Sequence, residues 1–440
     1  MPGPAVLRAR VARALGDRNN RQTAIAFAIR LFGAAASFGF NTIVAREFGA
    51  AGTGSFALAL TTATIASTLS LVGLDYILLR TVAGDVRVGD TAAAGGTIRK
   101  VAALVGGMSG SAAVLLAFVG APILAWILDD GRDPTMLRLA ALAVVPLAMM
   151  RIAVTSLRGS GIVLRAQFMD GPLPMLLTLA CLAVLIASGR TDDIALLFVL
   201  YAAMTAMGTI TAWLMFRRQS RGWAPPTAMS ARPLLSRSWR ISLTVLAAMV
   251  ADWLILLVLG RYFGRVEVGQ FRVAWQITSL IGLVITTLDV VVGPRLAAAH
   301  RTGSIAEVRG IWANSAKIMT LGSLPLLVVV LAVPELILGI FGPEFVVAAT
   351  ALRILALGQV VNMLTGSVGA VLLMTGRENW SLRLALLSLG ALGVSGLLLV
   401  PAYGIVGAAI ATALGSTVRN ATMTVLALKQ LRGPASTDPR

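Results

Sequence analysis

Long apolar runs, interrupted by short polar segments, follow one another along the sequence. Each run has about the 20 residues that an α-helix needs to cross the hydrocarbon core of a membrane. Divided at charged residues, glycines and prolines, the pattern predicts twelve membrane spans and an all-α polytopic membrane protein with both termini on one side. The spans lie at 24–44, 54–78, 101–126, 137–157, 172–188, 194–216, 240–260, 272–292, 314–334, 351–374, 381–400 and 404–427.

The longest hydrophilic stretch falls at the middle of the chain and predicts a division into two halves. It runs from Arg217 to Arg240 and contains six arginines and the pair Pro225-Pro226. The predicted organisation is a basic tail at 1–23, a six-helix half at 24–216, a linker at 217–239, a second six-helix half at 240–428 and a tail at 429–440.

The two halves repeat one pattern at an offset of 215 residues. Residues 45–59 align without a gap on 260–274, and six of these 15 positions are identical. Because each half has an even number of spans, both enter the membrane in the same direction. A pseudo-two-fold axis along the membrane normal and a central cleft are therefore expected. The identical pairs are Arg46/Arg261, Phe48/Phe263, Gly49/Gly264, Gly54/Gly269, Phe56/Phe271 and Ala59/Ala274.

Composition agrees with a chain that lies almost wholly in the membrane. Hydrophobic residues make up 57% and charged residues 13%, with a mean hydropathy of +0.86. These values exclude an ordinary soluble enzyme. The net charge of +18 suggests nucleic-acid binding at first sight, but a basic excess on the cytoplasmic loops explains it as well.

The predicted topology tests the second explanation of the charge. Arg30, Arg151, Lys317 and Arg419 lie three or more residues inside their spans. Basic residues nearer a span end are assigned to the adjoining face, and of all basic residues outside these four positions most fall on the face that holds the termini. Both termini are therefore expected in the cytoplasm. The basic residues on the opposite face are Arg46, Arg132, Arg138, Arg190, Arg261, Arg265, Arg272 and Arg353.

Residues for catalysis or metal binding are scarce in this sequence. One cysteine, Cys181, and one histidine, His300, exclude an internal disulfide and a histidine-built metal centre. The sequence also lacks a nucleophile with a base, a glycosidase-type carboxylate pair and a Gly-Lys-Ser/Thr phosphate loop. We expect no enzyme activity, no cofactor and no metal, and hence coupling to ions, membrane potential or product consumption.

Several short motifs resemble one family of transporters. They are the run 30–41, Ala45-Arg46-Glu47-Phe48-Gly49, Gly54-Ser55-Phe56, Gly73-Leu74, Arg80, residues 341–345 and residues 351–358. Together they resemble the polysaccharide transporter family, the Wzx-type oligosaccharide flippases of the multidrug/oligosaccharidyl-lipid/polysaccharide exporter superfamily. The resemblance extends over essentially the whole chain.

The resemblance implies a multi-pass protein of the bacterial inner membrane. Such a protein moves polyprenyl-pyrophosphate-linked oligosaccharide, a repeat unit of a surface or exopolysaccharide, from the cytoplasmic to the periplasmic leaflet by alternating access. Membrane lipid would surround it, and glycosyltransferases and a polysaccharide polymerase are possible partners. Three alternatives remain open: a cation-coupled multidrug exporter, a lipid II flippase with fourteen rather than twelve spans, and a membrane glycan polymerase or ligase.

Polar residues in spans one, seven and eight are the candidates for substrate binding, because the resemblance makes these spans line the cavity. Arg30 is the strongest, since a guanidinium can bind pyrophosphate oxygens bidentately; a snorkelling role is the alternative. Asp252, in the middle of span seven, could pair with Arg30, carry a proton or make a structural hydrogen bond. Asn41 and Gln276 could meet sugar hydroxyls or bond a neighbouring helix.

Repeated charges at the span ends are the candidates for gates. Asp75 precedes Arg80 at the cytoplasmic end of span two, and Asp289 precedes Arg295 at the matching end of span eight. These residues could form salt bridges across the inward mouth or neutralise each other within a half. Arg46 and Arg261 occupy equivalent outer loop ends, where a gate role competes with tight-turn packing.

Overall fold

The computed structural model describes residues 18–128, 134–189, 193–227, 230, 232–301, 304–374 and 378–432. Its first helices are α1 (Arg18–Leu71), α2 (Leu74–Arg87), α3 (Thr91–Leu115) and α4 (Ala121–Leu128), with a π-helical turn at Leu116–Gly120 between the last two, followed by α5 (Thr135–Gly159), α6 (Val163–Asp170), α7 (Pro172–Ala187) and α8 (Ile194–Gln219). The remaining helices are α9 (Arg232–Phe263), α10 (Arg265–Arg301), α11 (Ile305–Ala332), α12 (Pro334–Gly339), α13 (Ala349–Thr365), α14 (Val368–Met374) and α15 (Glu378–Arg432), with a 3-10 turn at Pro343–Ala348.

All twelve predicted spans fall on helices, which confirms the all-α fold class. Two long helices supply two spans each, because α1 bends at Gly49 (φ 65°) and α15 bends at Gly404 (φ 55°). Only glycine adopts these backbone angles without steric cost. The second span crosses a break at Gly73, and the tenth crosses a break at Gly366. Within the described ranges, nine helical stretches are long and apolar enough to span a membrane, counting each bent helix once.

The backbone breaks repeat between the halves, as the sequence offset predicts. Gly49 separates the first two spans at φ 65°, and its equivalent Gly264 separates α9 from α10 at φ 84°. The same residue type therefore produces the same break at the same place in each half. This agreement supports the internal repeat at the level of backbone conformation.

Residue contacts divide the chain into two compact units whose bounds differ from the predicted halves. One unit comprises Met1–Asn41, Ala66–Phe118 and Arg138–Trp239, so far as described; the other comprises Thr42–Ile65, Val119–Leu137 and Arg240–Arg440. The second unit thus includes two segments of the first half, both at the face predicted to be periplasmic. Below, these units are called the first unit and the second unit.

Each unit has its own hydrophobic core. In the first unit, Leu74, Leu78 and Val82 of α2 pack with Val101 and Ile152 and are buried. The second unit has a core where α10, α11, α14 and α15 meet, formed by Val292, Leu296, Ala299, Val308, Val368, Val371, Leu372, Leu384, Ala427 and Leu431.

The polar segment between the halves is shorter than the linker predicted at 217–239, because helix α9 already begins at Arg232.

Candidate functional site

A cavity of about 460 Å³ lies inside the second unit, among α9, α10, α13 and α15. Its wall combines apolar residues with many hydroxyl groups and with charged side chains near the middle of membrane helices. Such groups cost free energy in a membrane unless they face water, a partner or a ligand. The polar and aromatic lining residues are Thr244, Asp252, Trp275, Thr278, Ser279, Gln359, Ser388, Thr412, Ser416 and Arg419.

Two guanidinium groups act on one carboxylate at this cavity. Asp252 is exposed to the cavity, and the positive charges of Arg272 and Arg419 both attract its carboxylate. The Arg272 guanidinium lies 4.8 Å from the centroid of the Trp275 ring, a cation–π distance that orients the side chain. With two cations and one anion, this group of residues has a net positive charge.

A chain of side-chain amides extends from the protein interior to the cavity wall. Asn420 Nδ2 donates to Asn362 Oδ1 at 3.2 Å, and Asn362 Nδ2 donates to Gln359 Oε1 at 3.1 Å. Each amide in this chain accepts from the one before it. Gln359 lines the cavity, so its NH₂ group is available to donate to a ligand.

The cavity wall therefore offers hydrogen-bond donors beside the carboxylate of Asp252. A guanidinium and an amide NH₂ suit an anionic or oxygen-rich ligand such as a phosphate ester or a sugar. Trp275 adds the kind of flat apolar surface against which a sugar ring can pack. Among the residues that the structure describes, no group of three or more His, Cys, Asp or Glu side chains is arranged to hold a metal ion.

The cavity candidates from sequence occupy different surroundings. Asp252 lines the cavity inside the second unit, whereas the sequence places it at a central cleft between the halves. Gln276 lies next to Trp275, and its buried Nε2 has no hydrogen-bond partner among the described residues. Asn41 Nδ2 donates to the Ser37 carbonyl oxygen of its own helix at 2.7 Å. Arg30 is exposed on α1.

The gate candidates also occupy different surroundings. Arg46 Nε donates to the carbonyl oxygen of Ile340 at 2.7 Å, which joins residues 294 positions apart. Arg261 is exposed in the last turn of α9, and Arg80 is exposed on α2. The side chains of Asp289 and Arg295 lie outside the described residues.

Arg151, in span four, forms an ion pair with Asp75. Arg151 Nε lies 3.6 Å from Asp75 Oδ2, with the side chains 50% and 11% exposed, respectively. The sequence predicts a partner for this carboxylate either across the inward mouth or at Arg80 of its own half, and identifies Arg151 only as a charge within a span. The structure thus gives Asp75 a partner on a different span of the same unit.

Replacement of Arg151 by glutamine should destabilise the protein by about 1–2 kcal/mol, because it leaves a largely buried carboxylate without its cation; the half-exposed arginine keeps the cost below that of a fully buried pair. The measurement is thermal unfolding of the purified protein in detergent. Adding Asp75→Asn should recover part of the loss. The matched control is Arg80→Gln, which should leave the unfolding temperature unchanged; an equal loss would show that Arg80 is the important partner.

Equivalent glycines of the two halves meet within the second unit. A Cβ atom at Gly54 would overlap the carbonyl oxygen of Arg265 and lie 2.9 Å from the backbone nitrogen of Gly269. A Cβ atom at Gly269 would overlap the carbonyl oxygen of Ala50 and lie 3.0 Å from the nitrogen of Gly54. We call this contact the glycine crossing. It places α1 and α10 backbone to backbone at the predicted periplasmic ends of spans two and eight.

Sequence reasoning missed most of the cavity wall. Trp275, Gln359, Asn362 and Asn420 are ordinary residues of apolar spans and carry no motif. Arg419 was recognised as a charge within a span, but nothing in the sequence linked it to Asp252. The spacing of Arg272 and Trp275, three residues apart on one helix, was the one available signal.

Two family comparisons cover most of the chain between them. Residues 20–300 match the family described as polysaccharide biosynthesis protein, and residues 241–399 match the MatE family. The chain is also 25% identical over 235 residues to the probable low-salt glycan biosynthesis flippase Agl15 of Haloferax volcanii. It is 27% identical over 217 residues to the probable flippase AglR of the same organism. These alignments cover 53% and 49% of this chain and 49% and 45% of the relatives, so the chain spans about half the length of each.

Solved structures share the fold at low sequence identity. The inward-facing conformation of a multidrug resistance MATE family transporter of the MOP superfamily gives a TM-score of 0.73 at 17% identity, with 95% of this chain and 100% of that chain covered. The outward-facing conformation of such a transporter gives 0.65 at 16% identity, with 96% and 98% covered. A MOP superfamily transporter from Pyrococcus furiosus gives 0.62 at 16% identity, with 94% and 95% covered.

Proposed function

The chain belongs to the polysaccharide biosynthesis protein family, and we propose that it is a flippase for polyprenyl-pyrophosphate-linked oligosaccharide. The observation that carries the proposal is the match of residues 20–300 to that family. Two relatives named as probable flippases support it. Transport would run from the cytoplasmic to the periplasmic leaflet of the bacterial inner membrane, with both termini in the cytoplasm, as the loop charges indicate.

The chemistry of the cavity supports a glycan headgroup as cargo. Arg419 and the amide of Gln359 donate to oxygen acceptors, while Trp275 and the hydroxyl groups suit sugar rings. The polyprenyl tail is as apolar as the lipid and would remain in the bilayer during transport. Alternating access of this site to the two sides would then move only the polar part of the substrate across the hydrocarbon.

A multidrug exporter is the second candidate, favoured by the MatE match over residues 241–399. A cationic drug in the cavity would meet Arg419 as well as Asp252, with the positive charge of Arg272 acting on the same carboxylate, so the net charge of this group opposes its binding. Overexpression in a drug-sensitive host discriminates the two functions. Raised resistance with unchanged surface glycan would favour export.

Deletion of the gene in its host tests the flippase directly. Polyprenyl-pyrophosphate-linked oligosaccharide should accumulate on the cytoplasmic face of the membrane, and the surface polymer should be lost. Mass analysis of the trapped lipid would identify the glycan. Unchanged lipid intermediates and surface glycan in a strain without a redundant flippase would refute the proposal.

The same strain tests the role of Arg30 in span one. Arg30→Ala should fail to restore the surface polymer while inserting into the membrane at normal levels, because it removes a cation suited to pyrophosphate. Arg30→Lys should restore part of the activity, since it retains charge without the bidentate geometry. Full activity of Arg30→Ala would leave the snorkelling role as the explanation.

A further inference from the structure

A groove of about 400 Å³ lies in the first unit, between α6 and the last turns of α8. It is separate from the cavity described above and independent of the proposed function. Arg165 and Arg218 line it from different helices, and both are exposed. The remaining lining residues are Ile162, Met169, Thr211, Leu214, Met215 and Gln219, so the lining contains no carboxylate.

The nearest acid on α6 is already bound. Asp170 Oδ2 lies 2.7 Å from Arg158 NH2, a hydrogen-bonded ion pair within the same unit. The groove therefore presents two positive charges beside the side chains of Met169 and Met215. Two guanidinium groups from different helices suit a phosphate group, whose oxygens can accept from both.

An apolar track leads away from the arginines along α8. Met207, Ile210 and Leu214 are 42%, 60% and 52% exposed and lie three and four residues apart, on the same side of the helix as Arg218. From Met207 to Arg218 the helix rises roughly 17 Å, close to the depth of one leaflet. A free phosphate ion would make no contact with these apolar side chains, whereas the acyl chain of a lipid could pack along them.

The position of the groove also favours a membrane lipid. α6 connects the fourth and fifth spans, and α8 ends where the chain leaves the membrane for the central polar segment. The charge pattern puts both elements at the cytoplasmic surface, where anionic headgroups attract basic residues. We propose that this groove binds an anionic phospholipid of the inner leaflet, with its phosphate between Arg165 and Arg218 and an acyl chain along Met207, Ile210 and Leu214.

The test uses the full-length protein, purified in detergent and stripped of lipid, with phosphatidylglycerol as the probe. Native mass spectrometry should show phosphatidylglycerol binding at least tenfold more tightly to the wild type than to the Arg165→Gln/Arg218→Gln variant. The matched control is Arg217→Gln/Arg221→Gln, which removes the same charge from neighbouring positions outside the groove and should bind as the wild type does. If phosphatidylglycerol binding weakened equally in both variants, the loss would reflect net charge alone, and the proposed site would be overturned.

Two further comparisons identify the occupant. Leu214→Gln keeps both arginines but interrupts the track, so it should weaken binding of long-chain phosphatidylglycerol and leave short-chain phosphatidylglycerol unaffected. Inorganic phosphate should not compete at millimolar concentration. Competition by phosphate alone, or binding of polyprenyl pyrophosphate with no binding of phosphatidylglycerol, would overturn the proposal in favour of a free anion or a substrate entry site.

Discussion

Gly54→Ala is expected to abolish transport and to lower the unfolding temperature. The added methyl group would overlap the carbonyl oxygen of Arg265 and lie 2.9 Å from the backbone nitrogen of Gly269. Both are backbone atoms, so no side-chain rotation relieves the clash. Overpacking in a core costs about 1–3 kcal/mol even where side chains can adjust. We therefore expect α1, just after its bend at Gly49, and the beginning of α10 to separate.

Thiol labelling distinguishes this opening from general unfolding. Ser55 lies beside the crossing and is 5% exposed. In a Cys181→Ala background, Ser55→Cys should resist a membrane-impermeant thiol reagent added from outside, and Gly54→Ala should make it reactive. Gly107→Ala is the matched control, because its Cβ would meet nothing within 4 Å. Wild-type transport and labelling in Gly54→Ala would contradict the close approach of the two backbones.

Arg419→Gln should reduce transport by a factor of about 10 to 100. A charge-assisted hydrogen bond to a ligand contributes about 1.5–3 kcal/mol, which corresponds to this range. The substitution keeps a neutral amide donor but removes the charge and the outer part of the guanidinium, so the loss reports the contribution of the guanidinium group. The measurement is the rate at which lipid-linked oligosaccharide appears on the outer face in the complemented deletion strain.

Arg383→Gln provides the comparison for Arg419→Gln. Arg383 lies in the same helix, 5.1 Å from the centroid of the Trp380 ring, and it does not line the cavity. The control thus removes one cation and one cation–π contact without altering the candidate site. Transport should remain at the wild-type level. Equal loss in the two variants would show that the cavity is not where the substrate binds.

The positions of the helices were accessible from sequence because membrane burial leaves a direct signature. A run of about 20 apolar residues has to form a helix that satisfies its own backbone hydrogen bonds. Hence every predicted span coincides with helix. The duplicated glycines were also visible, since Gly49 and Gly264 recur at one offset and both adopt positive φ.

Much less of the candidate site could be predicted from the sequence. In a nearly uniform apolar background, a hydropathy pattern does not show which helix faces which, and so Arg272 was assigned to an outer loop end. The electrostatic attraction of Asp252 by Arg272 and Arg419 depends on tertiary packing. The amide chain through Asn362 joins residues 58 positions apart, a distance at which sequence has no local pattern.

The glycine crossing bears on how a chain of two repeats can have arisen. Gly54 and Gly269 are equivalent positions, so the contact joins a residue to its own counterpart. In a precursor with one six-helix repeat per chain, such a contact would join two identical subunits, as in an isologous dimer. Any substitution at that position would be present in both subunits and would therefore appear twice in the interface. Fusion of the repeats removes that coupling and lets one half change its outer contacts while the other keeps its own.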